Sequence, residues 1–141
     1  MTILNPRDTH LAASVSTATP SQLLVMLYER LVLDVQRATD ALRRGEPSQA
    51  HEPLLHAQEI VLELNASLKV DAWEGAPGLA SLYDYLHTEL VKANMAKDLK
   101  VAESCLAIVS ELARSTTVLI VPTGTFWAYA PATNPSRYQY R

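Results

Sequence analysis

The side chains best equipped for chemistry are four histidines, one cysteine and the carboxylates beside them. Glu52 and His56 stand four apart, which puts both on one face of a helix, and His51 lies next to them. A metal ion inside a helical bundle needs matching Glu and Glu-x-x-His ligands from the facing helices. The rest of the chain does not supply them, since His87 has Glu89 only two positions away on a different face. These histidines therefore read as solvated surface residues, and no metal or other cofactor is expected. A bundle can also carry a phosphorelay histidine. His87, in Tyr85-Leu86-His87-Thr88-Glu89, is the best candidate, yet it lacks a nearby lysine and small residues to neutralise and admit a phosphoryl group. Cys105 sits among Leu106, Ile108 and Val109 without a cationic neighbour, so it reads as a small buried hydrophobe. With only Gly45, Gly75, Gly78 and Gly124, no glycine-rich phosphate loop is present. No catalytic apparatus emerges, and the chain is expected not to be an enzyme.

The elements that would position these residues are helices. Thr19-Pro20-Ser21-Gln22 supplies an N-cap, a proline at the first helical position and a capping-box partner. Arg43-Arg44 suits the carbonyl end of the same helix, and Gly45 ends it. Within it Leu24, Leu27, Leu31, Val35, Ala38 and Leu42 form a seam at helical spacing. A second helix covers about 47–69, with Ala50, Leu54, Ala57, Ile60 or Val61, Leu64 and Leu68 as its seam; Pro53 implies a kink or a late start capped by Glu52. Val70–Gly78 is loop chemistry. The third helix spans about 78–95, with Leu79, Leu82, Tyr83, Leu86, Leu90 and Ala93 on one face. Asn94–Lys97 is a short connection, and Asp98 caps a fourth helix over 99–114. Its seam is Leu99, Ala102, Leu106, Val109 and Ala113. Helices of this length with short connections predict an all-α, antiparallel four-helix bundle over 19–114.

Two flanking segments complete the chain. Residues 1–18 are a polar leader with room for one short helix. Ser115–Arg141 carries no charge before Arg137, yet holds Phe126, Trp127, Tyr129, Tyr138 and Tyr140. Thr116–Val121 and Thr125–Ala130 are β-prone runs around Pro122-Thr123-Gly124, so this atypical tail reads as a β-hairpin. Fully solvated, it would expose an aggregation-prone strand pair. Val118–Tyr129 is therefore expected to dock, either on the bundle or, as a homodimer contact, on a second copy.

Composition narrows the partners. The 141 residues carry a formal net charge of −3, and no basic run exceeds Arg43-Arg44, which argues against nucleic acid or an anionic membrane surface. The longest apolar runs, Leu23–Tyr28 and Val118–Pro122, fall far short of the ~20 residues a membrane helix needs. Met1–Arg7 has no apolar signal region, and a single cysteine gives no intrachain disulfide, so a cytoplasmic protein without stable membrane insertion is expected. A bundle uses one apolar stripe per helix, but the first helix carries Val25, Met26, Tyr28, Val32 and Leu33 off its seam, and the third adds Tyr85, Val91 and Met95. Surplus of this kind marks a partner surface, or packing beneath the leader or the tail.

Several stretches resemble one family. Val15-Ser16-Thr17-Ala18-Thr19-Pro20 followed by Leu23-Leu24-Val25-Met26-Leu27-Tyr28-Glu29 resembles the opening of the flagellar secretion chaperone FliS. The likeness continues through Ala38…Ala41…Gly45, Ala57…Ile60-Val61…Glu63-Leu64, Leu79…Leu82-Tyr83-Asp84-Tyr85-Leu86 and Leu90…Ala93-Asn94…Asp98, over about residues 8–114. The resemblance implies a cytoplasmic bundle that binds the C-terminal segment of flagellin, prevents early polymerisation and escorts it to the flagellar export gate. It places flagellin against Leu24, Leu27, Tyr28, Ile60, Leu64, Leu82, Tyr83, Leu86, Leu90 and Asn94, several of which must be core instead, because the same seam holds the bundle together. Asn94 would fix the local turn and bond to client backbone. Two departures stand out: His10 where the family usually has tyrosine, and Ser115-Thr116 where it commonly has an aromatic. A histidine phosphotransfer module or a generic helical adaptor are the alternative functions.

Overall fold

Pro20 opens α1, which runs to Arg43 and stops on Gly45 in the left-handed conformation (φ 71°). The Glu46 amide donates to the Ala41 carbonyl at 2.9 Å and the Gly45 amide to Leu42 at 3.1 Å, closing the orphan carbonyls of the last turn. The structure, a computed structural model, describes residues 20–69, 71 and 74–123, with the side chains of Pro20 and 117–123 left aside. The leader, the Thr19 cap and residues 124–141 thus lie outside the described residues.

Helix α2 spans Pro47–Ser67, with Pro47 at its start. It begins ahead of Pro53, so the late start capped by Glu52 is not realised. Pro53 lacks the amide that would meet the Gln49 carbonyl, but Gln49 is exposed and water can serve that group. The whole expected seam, Ala50 to Leu68, is buried.

Helix α3 spans Ala76–Ala96 and therefore absorbs most of the connection expected at Asn94–Lys97. A single left-handed residue, Lys97 (φ 51°), turns the chain, and the Asp98 amide reaches back to the Ala93 carbonyl at 3.2 Å. Asp98 then caps α4 as expected: its Oδ1 accepts from the amides of Lys100 at 2.9 Å and Val101 at 3.3 Å.

Helix α4 spans Leu99–Thr123, so the β-prone run Thr116–Val121 is helical. The reason lies in register. Arg43 and Glu103 pair across α1 and α4 at 3.3 Å, which sets the antiparallel helices level there. Counted along both helices from that pair, Arg114 comes level with Val32 and Thr123 with Leu23. A helix ending at Arg114 would leave the first turns of α1, with buried Leu23, Leu24, Leu27, Tyr28 and Leu31, without α4 beside them. β-Branched residues cost only about 0.5 kcal/mol each in a helix that is already nucleated, and the first breakers are Pro122 and Gly124. The second arm of the expected hairpin, Thr125–Ala130, lies outside the described residues.

Helix α1 packs beside α2 and α4, and α3 beside the same two, which makes an all-α, up-down four-helix bundle with α1 and α3 on a diagonal. Across that diagonal the buried Tyr28 and Tyr83 hydroxyls hydrogen-bond to each other. One buried carboxylate joins α1 to α2: Asp34 meets the His56 Nδ1 and forms an ion pair with the Arg30 guanidinium, its Nε 3.4 Å away. His56 is therefore not the solvated surface histidine expected from the sequence. Half-buried, it ties two helices together by its contact with Asp34.

Candidate functional site

Two cross-helix hydrogen bonds define a groove on the outer side of α2 and α3. His51 Nδ1 lies 3.3 Å from Asn94 Oδ1 at one end, and Asn65 Nδ2 donates to Asp84 Oδ1 at 2.8 Å at the other. On α2 the residues between these bonds at spacings of four and three are Leu55, Gln58 and Leu62. On α3 the corresponding stripe from Asp84 is Thr88, Val91 and Met95. The register of the two bonds brings Leu62 level with Tyr85, and Leu55 level with Lys92.

This stripe is apolar and open. Leu62 is 53% exposed, Leu55 38%, Met95 82% and the neighbouring Tyr85 53%. Three of the five large exposed hydrophobics among the described residues, Leu55, Leu62 and Met95, thus lie on these stripes of two adjoining helices; Tyr85 points about 100° round α3 from Asp84, and Leu33 is on α1. Single exposed leucines are ordinary, but three apolar side chains along one helix pair, flanked by Asn65, Asp84 and Asn94, have the make-up of a docking surface: apolar anchors and a rim that can bond to backbone.

Of the ten residues singled out in the sequence, Leu24, Leu27, Tyr28, Ile60, Leu64, Tyr83, Leu86 and Leu90 are buried in the core. Leu82 and Asn94 are half-buried and reach the surface. Asn94 accepts from Lys97 Nζ and faces His51. The sequence reading noted Tyr85, Val91 and Met95 as surplus on the third helix but missed Leu55 and Leu62. Each follows a seam residue directly (Leu54, Val61), and the two lie seven apart, which is the signal that marks a second stripe.

The groups first considered for chemistry do not assemble. Among the described residues no three of His, Cys, Asp and Glu come together as a metal site. Cys105 is wholly buried; burial pushes its thiol up from 9.0 to about 12, and the Glu89 carboxylate adds to the shift. The folded state thus holds this proton after the unfolded chain has released it, so its contribution to stability is present below pH 9 and is lost between 9 and about 12. At pH 8 the folded protein should resist iodoacetamide for hours and react within minutes in denaturant, as mass spectrometry would record.

The sequence profile of the family described as "Flagellar protein FliS" matches residues 3–115, which takes in α1 to α3, most of α4 and the whole groove. The chain belongs to the FliS family. It is 35% identical over 98 residues to the flagellar secretion chaperone FliS of Bacillus subtilis (strain 168), covering 70% of this chain and 73% of that protein. Against the flagellar secretion chaperone FliS of Salmonella typhimurium (strain LT2) the identity is 30% over 105 residues, or 73% of this chain and 78% of that one. FliS is a chaperone family and not an enzyme family, and the four-helix bundle is the scaffold on which this FliS-family chain presents its groove. No helix among the described residues is long and apolar enough to cross a membrane.

Proposed function

We propose that this FliS-family protein is a cytoplasmic export chaperone that holds the C-terminal segment of flagellin, prevents its premature polymerisation and delivers it to the export gate of the flagellar type III secretion system. The observation that carries the reading is the apolar strip of Leu55, Leu62, Val91 and Met95 on a FliS-family bundle. A flagellin helix laid along α2 and α3 would bury these side chains at i, i+3, i+4 and i+7 spacings of its own. Leu82 and Asn94 are assigned direct contact with the client, Asn94 bonding to its backbone. Leu24, Leu27, Tyr28, Ile60, Leu64, Tyr83, Leu86 and Leu90 support the groove from beneath.

Titration calorimetry of the full chain with a synthetic flagellin C-terminal peptide tests this. Saturable heat with 1:1 stoichiometry and a negative heat-capacity change, the mark of apolar burial, is expected. No heat and no protection of the peptide from proteolysis would leave a generic helical adaptor.

A further inference from the structure

The outer groove of α2 and α3 has a candidate occupant in the chain itself. We infer that the aromatic tail, residues 124–141, folds back into this groove and competes with the client there; this rests on the groove being the flagellin site.

Position and reach favour it. The chain leaves α4 at Thr123, level with Leu23 of α1. The Asp34–His56 contact carries that level to the last turn of α2, near Ser67, and the Asn65–Asp84 bond carries it to Leu82 of α3. The exit therefore lies at the Leu62 end of the groove, about 8 Å along the axis from Leu62. Crossing α3 adds two interhelical spacings of roughly 10 Å. Eighteen residues span up to about 60 Å when extended, so Tyr138-Tyr140 can reach along the groove, while Trp127 and Tyr129, about 15–20 Å of chain beyond Thr123, come no farther than its Leu62 end.

Chemistry favours it too. The tail holds five of the chain's nine aromatics and no charge before Arg137, so entering an apolar groove strips water from no ionised side chain over its first thirteen residues. Its two charged residues, Arg137 and Arg141, are cationic, while Asp84 lies in the groove and Glu52 and Glu59 are exposed on the adjoining face of α2. A tail in full solvent would instead carry the low charge and high aromaticity that disordered segments lack. A client must displace a groove-bound tail, so a tail seated nine-tenths of the time lowers the apparent affinity about tenfold.

The test compares the full chain, a chain ending at Thr123, and a full-length variant with Phe126→Ser, Trp127→Ser and Tyr129→Ser. Affinity for the flagellin C-terminal peptide is read by calorimetry and mass by sedimentation. In parallel, Trp127 emission is followed in a full-length Trp73→Phe background. Both tail variants are expected to bind the peptide about tenfold more tightly. Trp127 emission should be blue-shifted and should move to the red on Leu62→Gln. Equal affinities with Trp127 emitting as it does in the isolated 124–141 peptide would overturn the inference. So would a full chain that is dimeric and becomes monomeric on truncation, which gives the tail to a second copy. Should no variant bind the flagellin peptide, the function proposed above fails. The tail is then judged on Trp127 alone: a blue shift that Leu62→Gln removes supports its docking, and its absence overturns it.

Discussion

Replacing Tyr83 by alanine should lower the melting temperature by about 10–20 °C and, at temperatures where the variant stays folded, leave flagellin binding within a few-fold of the parent. Tyr83 is wholly buried on α3 and meets buried Tyr28 of α1 across the bundle diagonal. Large-to-small changes of aromatic residues at such places cost about 3–5 kcal/mol, because the lost transfer energy is joined by a cavity that rigid neighbours cannot fill. Against a total stability of about 5–15 kcal/mol that is a large share, and each kcal/mol moves the midpoint by a few degrees in a domain of this size. The measurement separates two roles that the sequence left together. If Tyr83 supports the groove from beneath, loss of binding follows the unfolded fraction; if it touches client, affinity falls in the cold, fully folded protein as well.

The same residue shows how far the sequence carried. Helical periodicity marks Tyr83, Leu86 and Leu90 as one face, and that face is indeed interior. Periodicity fixes direction within a helix, but it does not say which neighbour stands opposite or where a second stripe finds company. Leu62 and Met95 become a surface only because the His51–Asn94 and Asn65–Asp84 bonds set α2 and α3 in register, and that register is a tertiary fact. The end of α4 was hidden for a related reason. The β-propensity of Thr116–Val121 is a weak local preference, and the need of α1 for α4 beside its first turns outweighs it. His56 reads as solvated in the sequence because its partner, Asp34, stands twenty-two residues away on another helix.

The opposite signature to Tyr83 is expected at the groove. Leu62→Gln with Met95→Gln should weaken flagellin binding about 100-fold and change stability by less than about 0.5 kcal/mol. Both side chains are more than half exposed, so glutamine, a good helix former, removes little packing from the free protein. In the complex the same positions lose apolar contact and place an amide where a client side chain would exclude water, about 1–3 kcal/mol for a polar group whose hydrogen bonds go unmade. Two such sites, about 15 Å apart along the groove, add nearly independently. Glutamine rather than glutamate keeps the charge around Asp84 and Glu59 unchanged, so a loss of affinity reports burial and not repulsion. The groove lies on α2 and α3, away from Leu33 on α1; Leu33→Gln, equally polar and at a position that is also exposed, should therefore leave affinity unchanged. If the double variant binds as the parent does while Leu33→Gln does not, the client lies on α1 instead, and the assignment of the α2–α3 groove is wrong.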